Sequence, residues 1–257
     1  MTHEIELTKA NRLRLAAAFR HNKRVDYAID CVVEGQMGRA FADSMAEPTA
    51  YCIATGPFRY FAGEARSPGG LEMVRELAPY HLLMPSPPEW VEVAREMHGG
   101  RLIEFSRYRF SPDHLSTEHL QMLLSNSAYE NSILPITSEL AQGIARQSAD
   151  FFDISDFDST QDFEARGIGF AALAGEEVIG TAYSSLVCSK GIEVSIYVGE
   201  KHRRQGAATA LGSRLVLECV KRGLRPNWDA ANPESYKLAL KLGFVFLELY
   251  DAYYVES

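Results

Sequence analysis

The stretch of this sequence best suited to chemistry is Glu193-Val-Ser-Ile-Tyr-Val-Gly-Glu-Lys-His-Arg203-Arg204-Gln205-Gly206-Ala207-Ala208-Thr209. A β-branched strand feeds a basic turn, and the turn feeds a long helix through a glycine and two alanines. A helix N-terminus offers free backbone N–H groups and the positive end of the helix dipole, which together attract an anion. Gly206, Ala207 and Ala208 are small enough to let a bulky pyrophosphate approach the main chain. Lys201, Arg203 and Arg204 add positive charge inside a protein whose 34 acidic residues outweigh its 26 lysines and arginines, for a net charge of −8. The same residue types also suit an exposed basic loop that simply caps a structural helix, and composition does not separate the two.

Other motifs point nowhere. Gly167-Ile-Gly169-Phe-Ala-Ala172 has the G-x-G-x-x-A spacing of a dinucleotide fingerprint. That fingerprint needs a strand before it and a helix opening within it, whereas the residues after Gly167 are themselves strand-like and run into a turn at Gly175. No Walker A run, no G-x-S-x-G elbow and no H-E-x-x-H pair occurs. The four cysteines, Cys31, Cys52, Cys188 and Cys219, are scattered. No metal site or disulfide framework is expected, and reduced thiols fit the cytoplasm. The acidic balance argues against a general nucleic-acid binder. Lys9, Arg12, Arg14, Arg20, Lys23 and Arg24 crowd the N-terminal region and read as a solvated helix face, with a nucleic-acid partner as a distant alternative. No uncharged stretch reaches the roughly 18 residues of a membrane span, and Glu4 and Glu6 lie where a signal peptide is basic and then apolar.

These residues need a scaffold, and 257 residues at 46% hydrophobic and 23% charged fit an ordinary globular chain of one large or two modest domains. Thr8 to Asn22 reads as a helix capped by Thr8. A hairpin is expected over Thr49–Ala62, a helix over Gly70–Leu77, and a short strand over His81–Met84. A further helix opens at Pro87-Pro88 and stops at Gly99-Gly100, and a strand follows at Leu102–Phe110. Ser111-Pro112-Asp113 is the candidate boundary, giving an N-terminal α/β region over 1–112 and a second domain over 113–257. Beyond it, Ser116–Ser125 and Glu139–Ser148 read as helices joined by a loop around Pro135, and Asp150–Gln161 as an acidic, aromatic surface loop. Strands at Ile168–Leu173, Val178–Val187 and Ile192–Val198 form an antiparallel meander with tight turns. A helix then runs from Gly206 to Gly223, followed by a short strand at Asn227–Ala230, a helix at Pro233–Leu242 stopped by Gly243, and a last strand at Phe246–Val255. The class is α/β with a mixed sheet.

Arg203-Arg204-Gln205-Gly206-Ala207-Ala208 resembles the Q/R-x-x-G-x-G/A signature of the GNAT superfamily of acetyl-CoA-dependent N-acetyltransferases. The meander before it and the strand–helix–strand after it are in the order of that fold. A second match is Trp228-Asp-Ala-Ala-Asn232-Pro-Glu-Ser235 followed by Ala239-Leu-Lys-Leu-Gly243-Phe244. The resemblance covers about residues 115–257, and the whole chain is similar to a bacterial GNAT group with an additional N-terminal α/β region.

The resemblance implies a site. Coenzyme A pyrophosphate would lie on the turn that includes Arg203, on backbone amides of Arg204, Gln205, Gly206, Ala207, Ala208 and Thr209. The pantetheine arm would pair like an added strand beside Ile196, Tyr197 and Val198. Asn232 would contact the cofactor from the opposite lip, or serve only as a helix cap. Glu193 takes the position of a base in the fourth strand of many members, or is a solvent-facing strand residue. One departure stands out: the tyrosine that protonates the departing thiolate in many members is Ala239 here. Tyr236 lies three residues earlier, nearly a full turn away, and is not taken as a substitute; Tyr250, Tyr253 and Tyr254 on the last strand are alternatives, each also readable as a packed aromatic. The implied activity is transfer of acetyl from acetyl-CoA to a small-molecule amine by direct attack in a ternary complex, without a metal, a membrane or a nucleic acid. A non-catalytic acyl-CoA-binding or sensing protein is the alternative.

Overall fold

The computed structural model of the chain describes residues 2–147 and 151–257. It divides into two compact units, Met1–Arg107 with Leu249–Ser257, and Tyr108–Glu248. The class is mixed α/β, as the pattern of elements predicts.

The first unit holds β1 (His3–Glu4), α1 (Lys9–Ala18), α2 (Ala28–Glu34), β2 (Arg39–Ala42), β3 (Ala50–Thr55), β4 (Phe58–Gly63), α3 (Pro68–Arg75), β5 (Leu82–Leu83), α4 (Pro88–His98) and most of β6 (Leu102–Ser111). β1 to β5 neighbour one another in chain order, and β5 pairs in turn with Tyr253 and Tyr254 of the last strand. Thr8 and Ser67 accept backbone N–H groups at the starts of α1 and α3, each such cap contributing about 1 kcal/mol. Buried Phe61 stacks on buried Trp90, ring centroids 4.8 Å apart, in a core with Met73, Val74 and Val93.

The second unit contains α5 (Thr117–Ser125), β7 (Ile133–Pro135), α6 (Ser138–Gln147), α7 (Thr160–Arg166), β8 (Gly169–Ala174), β9 (Glu177–Cys188), β10 (Gly191–Val198), α8 (Ala207–Lys221), β11 (Arg225–Asn227), β12 (Asp229–Ala230), α9 (Pro233–Leu242) and the start of β13 (Val245–Val255). Five strands lie in the order β11-β10-β9-β8-β7, all antiparallel except β10 with β11. α8 lays Ala207, Ala210, Leu211, Leu215 and Cys219 on this sheet, against Phe170, Ala172, Ala182 and Ile192. Phe110, Trp228, Ala239, Leu242 and Phe244 make a second cluster around α9.

Several boundaries differ from the sequence reading, each for a physical reason. α1 ends at Ala18, not Asn22, with buried Phe19 as its C-cap. α2 and β2 are too short to show a period, although Asp26 Oδ1 accepts the Ala28 N–H and Gly35 closes α2 at φ 69°. The loop around Pro135 contains an edge strand, where a missing N–H is tolerated. The stretch expected to be a surface loop buries Phe152 and Phe157 against Phe163, and Ser159 starts α7 inside it. Ser148 and Asp150, at the ends of two expected segments, lie outside the described residues. The strand expected at Asn227–Ala230 is two strands with different partners. After Gly167 comes β8 and no helix, so the G-x-G-x-x-A match has no phosphate-binding geometry.

Within the second unit, β6 supplies Tyr108 and Arg109 as partners of β12, and Phe110, 2% exposed, as a core side chain. A chain beginning at Asp113 loses all three. Removal of a buried Phe alone costs about 3–5 kcal/mol, a large part of a domain's stability. Such a chain is expected to be insoluble or to lack a cooperative thermal transition. A soluble fragment that unfolds cooperatively near the full chain's temperature contradicts this.

Candidate functional site

The site grows from a short strand pairing. β10 and β11 run parallel for three residue pairs, Gly191↔Arg225, Ile192↔Pro226 and Glu193↔Asn227. Opposite the step from Glu193 to Val194, β9 carries one extra residue, Ser185, a β-bulge in the β9–β10 register, while the chain of β11 turns away at Trp228 and pairs with β6 as β12. As a strand, Val194–Val198 pair with β9 alone among the described residues. Alternate N–H and C=O groups along this half of β10 therefore face an open cleft. Such an edge accepts an extended polar chain as an added strand.

The cleft leads to the start of α8. Six other helices, α1, α3, α5, α6, α7 and α9, have a Ser, Thr or Asn side chain on an N-terminal N–H. α8 begins at Gly206, φ 92°, with no side-chain cap. A Cβ placed on Gly206 meets nothing within 4 Å. Arg204 is also left-handed, at φ 61°, and no other described residue besides glycine has a positive φ. Two left-handed residues around Gln205 turn successive N–H groups toward one side, an anion-binding concavity.

The side chains of Arg203 and Gln205 hold this turn together. Arg203 Nε donates to the Val198 carbonyl at 3.1 Å, and its guanidinium sits 6.0 Å from the Tyr197 ring centroid. Gln205 donates to the Lys201 carbonyl at 3.0 Å and accepts from the Tyr129 hydroxyl at 3.4 Å. Arg203 Nε and the Gln205 side chain are thus engaged within the turn, next to the main-chain amides of residues 204–209. Ile196 points to α8, where Gly212 permits close packing: a Cβ there would lie 3.2 Å from Ile196 Cδ1 and 2.8 Å from Leu242 Cδ1. Tyr197, on the other face, packs 4.7 Å from Phe151.

Glu193 is 7% exposed, so it is not a solvent-facing strand residue. Its Oε2 accepts from Asn227 Nδ2 at 2.8 Å, and its carbonyl accepts from Ser185 Oγ at 3.4 Å. Asn232 caps α9, with Oδ1 accepting the Ser235 N–H at 2.9 Å, while Trp228 Nε1 donates to Ser235 Oγ. Ala239 is buried. Tyr236 packs among Tyr108, Phe110 and Phe246. In the first unit, Tyr250 accepts from Arg107, Tyr253 from Arg95, and Tyr254 packs on Phe105. All four tyrosines thus have packing or hydrogen-bonding roles of their own.

A mixed sheet that splays after three pairs, with an uncapped helix at the mouth of the opening, is the arrangement the sequence resemblance implies. Residues 18–253 match the GNAT acetyltransferase family. This chain belongs to that family. The GNAT chain is 26% identical to the uncharacterized N-acetyltransferase YdfB of Bacillus subtilis (strain 168), over 97% of each chain. A GCN5-related N-acetyltransferase-like protein from Streptococcus suis superposes with a TM-score of 0.83 at 27% identity, covering 97% of this chain and all of its own. A GNAT-family acetyltransferase from Colwellia psychrerythraea shares the fold, with a TM-score of 0.59 at 10% identity over the full length of both. Among the described residues, no helix is long and apolar enough to cross a membrane, and no group of three His, Cys, Asp or Glu residues could hold a metal ion.

The strand register also brings together residues that sequence reasoning did not single out. Asn227 lies opposite Glu193, 34 positions away, and only the strand register brings them together. On the face that carries Tyr197, buried Tyr183 bonds Ser195 across the β9–β10 pair and accepts the Asp153 N–H at 2.8 Å. Burial pushes the Tyr183 phenol above its ordinary pKa, so it stays protonated at neutral pH. No sequence period marks these contacts.

Gly191 closes the base of the cleft. A Cβ there would strike the Arg225 carbonyl oxygen, a backbone atom that cannot swing aside. Gly191→Ala must therefore push β11 from β10, and a loss of about 1–3 kcal/mol is expected, the usual scale for overpacking. Chemical denaturation checks this, and an unchanged midpoint contradicts it.

Proposed function

We propose that the protein moves an acetyl group from acetyl-CoA to a small-molecule amine by direct attack in a ternary complex. The observation that carries this reading is the half-open edge of β10, Val194–Val198, running to the uncapped amides of α8. Arg203 and the amides of Arg204, Gln205, Gly206, Ala207, Ala208 and Thr209 would hold the pyrophosphate. Ile196, Tyr197 and Val198 would pair with the pantetheine arm, and Asn232 would border it from the α9 side. The thioester supplies an activated acyl carbon, and no metal is required. Free, buried cysteines fit a cytoplasmic setting, and the acidic balance favours neither nucleic acid nor an anionic surface.

Glu193 acts as the base. As the amine nitrogen bonds to the carbonyl carbon, its proton passes to the Glu193 carboxylate, the C–S bond breaks and the thiolate leaves. A β10 backbone N–H near Ile196 or Val198 steadies the negative charge that develops on the carbonyl oxygen. An alkylamine has a pKa near ~10.4, so at pH 7.4 about one molecule in a thousand is neutral, a deficit of roughly 4 kcal/mol. A thiol pKa near ~8.5 makes the leaving group tolerable without a dedicated acid, which accommodates Ala239. The buried, hydroxyl-free Ala239 also favours a second reading, a non-catalytic acyl-CoA sensor. Thiol release from acetyl-CoA with a panel of amines separates the two.

Two outcomes are expected. Glu193→Gln should lower kcat/KM by roughly 10²–10⁴ at neutral pH, with the defect shrinking as pH rises and neutral amine becomes abundant. Near-normal activity at pH 7 removes Glu193 from the mechanism. Gly206→Glu should abolish coenzyme A binding in calorimetry, by bulk and like charge, while its positive φ costs only about 1–2 kcal/mol of stability. Wild-type affinity in a folded Gly206→Glu protein overturns the phosphate assignment.

A further inference from the structure

We propose that Asn227 is a positioning residue that holds the Glu193 carboxylate in its working orientation. The proposal rests on Glu193 being the base, and the experiment below tells the two apart.

Glu193↔Asn227 is the final pair of the β10–β11 register, at the point where the strands part. Side chains of paired residues on adjacent strands leave the same face of the sheet, so the register itself sets Asn227 beside Glu193. The contact is a hydrogen bond of 2.8 Å from Nδ2 to Oε2. An ionised carboxylate only accepts, so the amide must present its nitrogen here. Asn227 has a firm base of its own: Pro226 and Trp228 on either side are buried, and Trp228 Nε1 is tied to Ser235 Oγ. Glu193 has a fixed main chain as well, through the Ser185 hydroxyl on its carbonyl. What remains is a glutamate side chain with several rotatable bonds, placed where the facing strand β9 bulges at Ser185. The Asn227 amide removes that freedom. A base held within hydrogen-bond reach of its proton is effective, and displacement by about 1 Å can cost 10²-fold.

The test uses the full chain and thiol release from acetyl-CoA, with putrescine, lysine methyl ester and tyramine as amine probes. Wild type, Glu193→Gln, Asn227→Asp, Asn227→Ala and the double variant Glu193→Gln/Asn227→Ala are compared on the probe that wild type turns over fastest. The expected result is a fall of about 10-fold to 10²-fold in kcat for Asn227→Ala, with KM for acetyl-CoA within about twofold. Asn227→Asp preserves shape but replaces the donor with a like charge, so it should be at least as impaired as Asn227→Ala, whereas a role in packing alone would be kept by the isostere. Adding Asn227→Ala to Glu193→Gln should cause little further loss, because both act through one group. Unchanged kcat in Asn227→Ala or Asn227→Asp, or full additivity in the double variant, overturns the positioning role while leaving the base in place. Near-normal activity of Glu193→Gln, or a wild type silent on every probe, overturns the base and the positioning role together. Should Asn227→Asp fail to fold, Asn227→Ala and the double variant decide.

Discussion

Three parallel residue pairs between β10 and β11 are the constraint on which the site depends. Longer pairing would fill the edge of β10 with protein hydrogen bonds, and its absence would leave Glu193 and Asn227 on unrelated strands. The length is set from both ends. At one end Gly191 lets the β10 backbone pass directly against Arg225. At the other, the departure of Trp228 toward β12 ends the pairing just past Glu193. Trp228 and Phe244, their rings 5.2 Å apart, pack in the core of the diverging side, so the opening is supported by buried apolar surface and does not rely on a loop.

The helix at the mouth of the cleft depends on similar economy of side chains. Gly212 allows α8 to approach both Ile196 and Leu242, which brings the first turn of α8 to the end of β10. Arg203 then ties the intervening turn to the Val198 carbonyl. Side chains stabilise the turn, and main-chain amides remain for a ligand. A lone Gly-rich turn would offer the same amides without a fixed direction.

Much of this was legible in the residues. Gly206 and Gly223 bracket α8, and Asn232 and Gly243 bracket α9, because caps and left-handed stops are local chemistry read from neighbouring positions. The meander was legible for the same reason, since its turns are tight and its strands long. Short elements such as α2 and β2 were not, because seven or four residues are too few to show a period. The divergence of residues 225–230 into two strands was hidden too, as the choice of partner belongs to the sheet and to β6, far away in sequence. Glu193 could be placed by resemblance, but the amide beside it is a product of register alone.

An open strand edge is normally a liability in a concentrated solution, because any extended chain with free amides can join it and begin an aggregate. Here the alternate free amides along Val194–Val198 lie beside the departing β11–β12 segment, and four of these five residues are only partly exposed. An edge set back among partly buried residues is less open to a neighbouring chain than one at the rim of a sheet.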